Sequence, residues 1–559
     1  MKKYKPENSN KNREPVRLKQ GFTFIKPLII FFFSFLLYSQ SINFKYTMFD
    51  DDSLLIKNKE FFTTDRDLKT IFTTDAFLTT EGTFYRPLQN ISFLIDAKVF
   101  GIMDVRMFHF TNVFLFALIA LSLYFLLLKF NISHLIAFFG TLVYAAHPLF
   151  VSSATWIPAR GDLLLTLFAI LSFIFWIKFI NKKKYSTLII SWLFFTLALF
   201  TKETAALLPV LFFIYFLVFE SKPKLDYKIV LFGFLVLCSG VLWFVVRTLY
   251  IKTFDSDLTV SMFLQNLFAI PAGLAMFAVP YDFSTAPEFT HIKIILGFIL
   301  FMLLIIMILK KSSQSRWKKL FYLFWFIFLL FPTFFARTKE WDYLDHRFLL
   351  PLIGIFIFIL SLIEKFNNKR VAVFSTILII IFSTVSVFKS KAFSNPVSFC
   401  EAMRFNKNKP EIYYFLKGNL EQISEKYDKA LMQYDKAIAY NPNYIKALNN
   451  RGIVKQTLGD ISGALEDYNQ AIALGVNNYH IFKNRGNIRL QLGDYNGAVE
   501  DYNSALEMEH HAELYFNKAV AKYILLDYDG ALEECEILLS IDSLYPNAKK
   551  LKIEILQNK

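Results

Sequence analysis

The sequence predicts an all-α protein in two parts, a polytopic transmembrane domain and a C-terminal α-solenoid, and three observations predict it. Hydrophobic residues make up 55% of the 559 residues and aromatic ones 18%, with 66 Phe, which is too apolar for an ordinary soluble chain. Apolar runs of about 20 residues, the length that crosses a bilayer, recur as far as residue 390. Beyond residue 405 they give way to amphipathic helices whose small and aromatic residues return every 34 positions.

Residues 1–21 are a basic segment carrying Lys2, Lys3, Lys5, Lys11, Arg13, Arg17 and Lys19. The apolar run after it lacks a small-residue cleavage site and leads straight into further spans, so it is expected to be a retained first helix and not a signal peptide. Eleven spans are expected, near 22–41, 107–128, 134–152, 162–180, 186–201, 204–220, 228–250, 291–310, 320–336, 348–364 and 371–389. They make 22–390 a membrane domain of about 11 spans with a large first outer loop, 42–106.

The formal net charge is +15, yet from Glu411 onward there are 16 Lys+Arg against 21 Asp+Glu. The positive excess lies in the N-terminus and in short loops between spans, at 181–184, 221–224, 310–319 and 364–370. This is the positive-inside pattern of a membrane protein and not a nucleic-acid footprint. It puts the N-terminus in the cytoplasm, and an odd number of spans then puts the C-terminal part outside. Segment 261–280 lies between loops that need both its ends outside, so it is expected to be re-entrant or interfacial. Cys238, Cys400 and Cys535 are far apart and form no CxxC or zinc spacing.

A linker, 391–410, precedes the repeats, 411–559. Gly418, Gly452 and Gly486 are 34 apart and Ala519 follows at 33; Ala430, Ala464, Ala498 and Ala531 keep step, as do Tyr434, Tyr468 and Tyr502. These are about four tetratricopeptide repeats, in which small residues stand where paired helices approach closely. In the last copy Cys535 replaces Tyr and Leu538 replaces Ala, as befits a capping repeat closed by a final helix. Lys446, Asn449, Lys483 and Asn487 occupy first-helix positions that could face a groove for a peptide or partner.

The unusual polar residues gather at one membrane face on this topology. Asp50, Asp51 and Asp52 open the first outer loop, which also carries Arg86. His147, Arg160 and Asp162 join the third and fourth spans, and Lys202 and Glu203 the fifth and sixth. "PYDFS" (280–284) and "EWDYLDHR" (340–347, with His346 and Arg347) are outside too. Charge tucked at span ends costs insertion energy and so points to a site. Adjacent carboxylates raise one another's affinity for a proton or a cation. Two readings are open: an acid that deprotonates an acceptor, or a pair of aspartates, Asp50 and Asp51, that holds Mg or Mn. Arg86, Arg160, Lys202 and Arg347 suit a phosphate leaving group, with His147, Asp162, Glu203 and His346 lining the substrate site. Successive side chains diverge, so at most two of the three aspartates can share one cleft.

These motifs, in this order, resemble the transmembrane and tetratricopeptide-repeat O-mannosyltransferases and their bacterial relatives, of the class C glycosyltransferase fold. They are the acidic motif Phe49–Asp52, YRPL (Tyr85–Leu88), the HxxN element (His109–Asn112), HP followed by RxD (His147, Pro148, Arg160, Asp162), KET (Lys202–Thr204), HR (His346, Arg347), and the repeats. Where the family often has a glutamate five residues after the His of HP, this chain has Ser152, and Phe150 stands for the frequent histidine. The resemblance implies transfer of a sugar from a polyprenyl-phosphate donor to a protein hydroxyl at the outer face of a bacterial inner membrane. It puts Asp50 and Asp51 nearest the chemistry, leaving Asp52 to cap the helix that follows. Two other classes compete: a non-catalytic anchor for the repeats, and a transporter or flippase, for which mid-bilayer charges and internal symmetry would be expected.

Overall fold

Long apolar runs have no water to satisfy their backbone in a bilayer, so they close their hydrogen bonds within helices, and every regular element among the described residues is helical. The computed structural model describes residues 25–47, 49–63, 68–78, 84–102, 104–251, 260–280, 282, 284–285, 288–310, 313–335, 345–404, 409–475 and 478–559. The chain divides into two compact units, Met1–Phe399 and Cys400–Lys559.

In the first unit seven helices are long and apolar enough to cross a membrane: Ile25–Asn43, Val105–Lys129, Ile157–Lys182, Tyr227–Tyr250, His291–Leu309, Arg316–Phe334 and Asn368–Phe393. An eighth expected span is a pair, His134–Ala146 and Pro148–Thr155, bent by 52°. Pro148 causes the break, because it has no N–H to donate and crowds the preceding turn. The remaining three of the eleven expected spans are shorter, built on Tyr185–Leu199, Glu203–Phe219 and Leu352–Ile363. Each stops where polar or ring-constrained residues begin, at Thr201–Lys202 and at Asp345–Pro351. Segment 261–280 is also short: Val260–Asn266 and Ala269–Ala278 flank a turn. A Cβ on Gly297 would fall into the Pro271 carbonyl, so the second of these helices and His291–Leu309 cross backbone to backbone.

Val105–Lys129 and Arg160–Lys182 are buried over most of their length, whereas Tyr227–Tyr250, His291–Leu309 and Asn368–Ser390 leave most of theirs uncovered. The basic loops meet one another. Lys183 pairs with Asp226 at 3.1 Å, Lys228 Nζ donates to the Lys183 carbonyl (2.9 Å), and the Ser133 N–H donates to Glu364 (2.6 Å).

In the second unit four helix pairs, from Pro410–Ile423 with Tyr427–Tyr440 to Ala512–Ile524 with Tyr528–Ile541, precede a closing helix, Ala548–Asn558. The 34-residue period has a steric cause. A Cβ on Gly418, Gly452 or Gly486 would come within 2.5–2.8 Å of the ring of Tyr434, Tyr468 or Tyr502, sixteen residues on, and all three rings are fully buried. The fourth copy changes both partners: Ala519 stands for Gly and Cys535 for Tyr, again sixteen apart and both fully buried. Each of the last three copies also buries an acid between two cations of its first helix. Asp467 meets Arg451 and Lys455, Asp501 meets Arg485 and Arg489, and Glu534 meets Lys518 and Lys522. Of the four groove candidates, Asn449 bonds to Asn450 and Asn484, Lys483 pairs with Glu513, and Asn487 accepts from Tyr502 and Asn517.

The paired change at 519 and 535 predicts coupling. Cys535→Tyr should destabilise the repeats by about 1–3 kcal/mol through overpacking. Adding Ala519→Gly should recover part of that loss, despite glycine's own helix penalty of about 1 kcal/mol. Urea unfolding of the four chains tests this, and simple additivity would remove the steric account.

Candidate active site

The acidic motif follows the first span through a single tight turn, Ser39–Asn43, and an extended stretch to Thr47. The three aspartates then diverge. Asp51 turns back into its own loop, where its carboxylate accepts from the Thr47 N–H, the Thr47 hydroxyl (2.9 Å) and the Phe49 N–H (2.9 Å). Burial pushes its carboxyl above the ordinary range while those donors pull the other way. Asp52 pairs with Lys57 at 3.3 Å at the start of a π-helical turn, Asp52–Ile56. Its expected helix cap does not form. Asp50 is half-buried, and its charge acts on Arg347.

A second group of residues converges from four helix ends. Arg86 immediately precedes Pro87–Phe100, Asp162 lies in the first turn of Arg160–Lys182, Lys202 and Glu203 fill the break before Leu208–Phe219, and His346 and Arg347 sit on the short turn Asp345–Phe348. Arg86, Asp162, Lys202, Glu203 and Arg347 line one cavity, with Leu165, Leu329 and Pro332 among its apolar walls. Two ion pairs organise it. Lys202 Nζ donates to both oxygens of Asp162, at 2.8 and 2.7 Å. Arg86 meets Glu203 at 2.9 Å, and this carboxylate holds the Arg86 pKa above its ordinary value against the effect of burial. His346 Nε2 lies 3.8 Å from Asp162. Burial pushes its pKa down to about 3, so it is a neutral imidazole. Arg347 has no hydrogen bond or ion pair to any described residue; burial and Arg86 pull its pKa down, opposed by Asp162, Glu203 and Asp50. Among the described residues the lining therefore carries three cations and two carboxylates, and the two ion pairs leave the Arg347 guanidinium over.

The structure does not bring every expected residue to this place. Arg160 is fully buried and spent on the fold: it meets Asp96 (2.9 Å), the Phe108 carbonyl (2.8 Å), Ser92 (3.3 Å) and Asn112, and lies over the Phe93 ring. It is not among the residues that line the cavity. His147 is likewise enclosed, bonded to the Phe277 carbonyl (2.9 Å) and the Leu149 N–H (3.2 Å) between the rings of Phe277 and Phe382. A divalent ion shared by Asp50 and Asp51 fits poorly, because both Asp51 oxygens already accept from protein donors; no cluster of three or more metal-ligating side chains occurs among the described residues. Tyr281, Phe283 and 340–344 of the outer motifs lie outside the described residues.

Sequence reasoning missed two buried pairs, Asp345 with Lys389 (2.8 Å) and Asp282 with Lys293, whose partners are 44 and 11 residues apart. It also passed over Thr47, whose position four residues before Asp51 is the sole local signal for the turn.

Residues 94–244, which contain Arg160, Asp162, Lys202 and Glu203, match a family model described as dolichyl-phosphate-mannose-protein mannosyltransferase. Residues 418–459 and 481–509 match tetratricopeptide repeat models. The first match lies within the membrane unit and the other two within the repeats. No curated protein matches it. Among solved structures, YrrB, a TPR protein with an unusual peptide-binding site, is 18% identical, covering 28% of this chain and 89% of its own with a TM-score of 0.26. The MamA protein is 18% identical over 27% of this chain and 88% of its own, with a TM-score of 0.25. A tetratricopeptide repeat protein from Parabacteroides merdae ATCC 43184 is 20% identical over 33% and 70%, with a TM-score of 0.25.

The different surroundings of the aspartates predict different losses. Asp51→Asn leaves a backbone or hydroxyl donor facing an amide, at about 1–3 kcal/mol, so proteolysis of the 44–58 loop should quicken. Asp50→Asn, which removes none of these three bonds, should quicken cleavage less. Equal rates for both variants would show that the Thr47 turn does not depend on Asp51.

Proposed function

We propose that this chain is a membrane glycosyltransferase that moves a sugar from a polyprenyl-phosphate-linked donor to a hydroxyl of a protein acceptor. The observation that carries the reading is the charge balance of the cavity. A phosphodiester carries one negative charge, and among the described lining residues Arg347 is the cation that no ion pair engages. Arg347 is the group left to meet it, and a guanidinium fork suits phosphate oxygens. The family model matched by 94–244 supports the same class, mannose being the sugar in that family's description.

In this reading the acceptor hydroxyl oxygen bonds to the anomeric carbon as the bond from that carbon to the phosphate oxygen breaks. The hydroxyl proton passes to Asp50, the aspartate of the three whose charge acts on Arg347. Arg347 receives the charge that develops on the departing polyprenyl phosphate. The two internal pairs hold the walls in place, and His346, neutral beside Asp162, is positioned to contact the sugar or phosphate as a hydrogen-bonding group. The repeats hold the acceptor protein or a partner.

The site faces the outside of a bacterial inner membrane, with the N-terminus in the cytoplasm. Nucleotide sugars are made inside, so an outward site needs a sugar already carried across on lipid. The distribution of Lys and Arg supports this orientation. Protease added to intact spheroplasts should remove the repeat unit, and its protection there would reverse the orientation.

Turnover of synthetic polyprenyl-phosphate-mannose by the purified chain, followed as released polyprenyl phosphate, tests the activity. Arg347→Lys should lower the rate about tenfold and Arg347→Ala by a further factor of about ten, in keeping with a charge-assisted contact of about 1.5–3 kcal/mol, with expression unchanged. Wild-type chain with no turnover of any lipid-linked hexose would defeat the proposal. An Ala variant that merely unfolds would make Arg347 a structural cation.

A further inference from the structure

The segment between the third and fourth spans contains a residue that the reading above does not use, Trp156, and the structure makes it a hub. It is buried, and four separate elements meet it. Its indole N–H donates to the Thr47 hydroxyl (3.3 Å), the same hydroxyl that bonds to Asp51. Its ring lies 5.5 Å from the His346 ring, on the turn that carries Arg347. Its carbonyl accepts from Asn112 (2.9 Å), a member of the Arg160 cluster. Its other flank is covered by Phe399, stacked at 6.0 Å, and Phe393, at 6.3 Å.

Phe399 closes a ring around the acidic loop. It also stacks on Phe49 at 5.6 Å, next to Asp50 in the chain, and packs on Phe393 at 5.8 Å. The backbone is tied in as well: the Lys45 N–H donates to the Ser394 carbonyl (2.9 Å), and the Thr285 hydroxyl to the Phe399 carbonyl (3.1 Å). Phe399 is the last residue of the membrane unit, and the repeat-bearing chain continues directly from it.

We propose that Trp156 and Phe399 are positioning residues that hold the Asp50 loop in register with the Arg347 turn, with Phe399 fixing that register from the segment leading into the repeats. The inference deepens the glycosyltransferase reading and takes its two reacting groups from it. Neither aromatic touches a reacting atom. They set the separation of a base and a phosphate-binding cation, a quantity on which turnover depends steeply because misplacement by about 1 Å costs orders of magnitude in rate. The stack gives the register a stiff, directional form, as ring pairs hold preferred orientations and bury large areas.

The test uses the full chain with Phe399→Ala, Phe399→Tyr and Trp156→Phe. Phe399→Ala should raise hydrogen exchange of backbone amides 44–52 and 345–348 at least tenfold, leave Val105–Lys129 unchanged, and be rescued in Phe399→Tyr; Trp156→Phe, which loses the bond to Thr47, should loosen 44–52 alone. With polyprenyl-phosphate-mannose as probe, Phe399→Ala should cut kcat about tenfold or more with donor KM within about twofold. In an Asp50→Asn background it should have little further effect, because both changes act through one group. Unchanged exchange at 44–52 in Phe399→Ala overturns the proposal whether or not the chain turns over this donor. Loosened amides with fully additive kinetic losses also overturn it, because the aromatics would then support the fold without setting the acid. A wild-type chain inert toward the donor, with 44–52 and 345–348 loosened as expected, would count against the glycosyltransferase reading while upholding the register that Trp156 and Phe399 impose.

Discussion

Charge that cannot reach bulk water must find a partner, and in the membrane unit this constraint decides where the chain turns. Asp162 begins one apolar helix and Lys202 follows another, and the ammonium holds both carboxylate oxygens at 2.8 and 2.7 Å. Removing either side would strand a buried charge at about 3–5 kcal/mol, so two helix ends are pinned together. Arg86 and Glu203 pin the outer loop to the same point. Asp345 and Lys389 then fix the turn that carries His346 and Arg347. The first two pairs lie in the cavity lining, where its apolar walls strengthen the charge interactions.

Arg160 and Arg347 show why such a site is only partly legible in a sequence. Both are arginines beside a short motif at the end of an apolar run, and residue type alone assigns them the same task. Their fates differ because the partners of Arg160 come from Asp96 and Asn112, 64 and 48 residues away, which no local pattern announces. With those partners and a backbone carbonyl in place, Arg160 is fully buried and does not line the cavity. The aspartate triplet was more legible. Side-chain divergence along a helix says that three neighbours cannot act together; that Asp51 would turn back to Thr47 and Phe49, and Asp52 meet Lys57, needed coordinates.

The fold was legible to different depths in its two units for a similar reason. Repeat positions recur because each copy solves the same contact, a glycine against a tyrosine ring sixteen residues on, so one period reveals them all. Span positions were legible from hydropathy, but span lengths were not. Tyr185–Leu199 and Leu352–Ile363 stop short because a lysine or an arginine at their ends is needed at the cavity, and the bend at Pro148 turns one expected span into two helices. Apolarity records where a chain is able to cross a bilayer; the tertiary demand for a charged corner decides where a helix ends.

The charge count also bears on how the proposed reaction would stay in balance. Before transfer Asp50 is negative and partly offsets Arg347, while the phosphodiester brings one further negative charge. As the acceptor proton moves to Asp50, that carboxyl becomes neutral and its hold on Arg347 lapses. In the same step the phosphate leaves its sugar and gains a second charge. The guanidinium is thus released from one anion as the other grows, and the total charge of the site does not change. An arrangement of this kind favours the transition state over the bound donor, because the full strength of Arg347 becomes available only when the proton has moved. It also explains why an unpaired arginine is tolerated among paired ones: Asp162, Glu203 and Asp50 together keep it charged without any one of them engaging its fork.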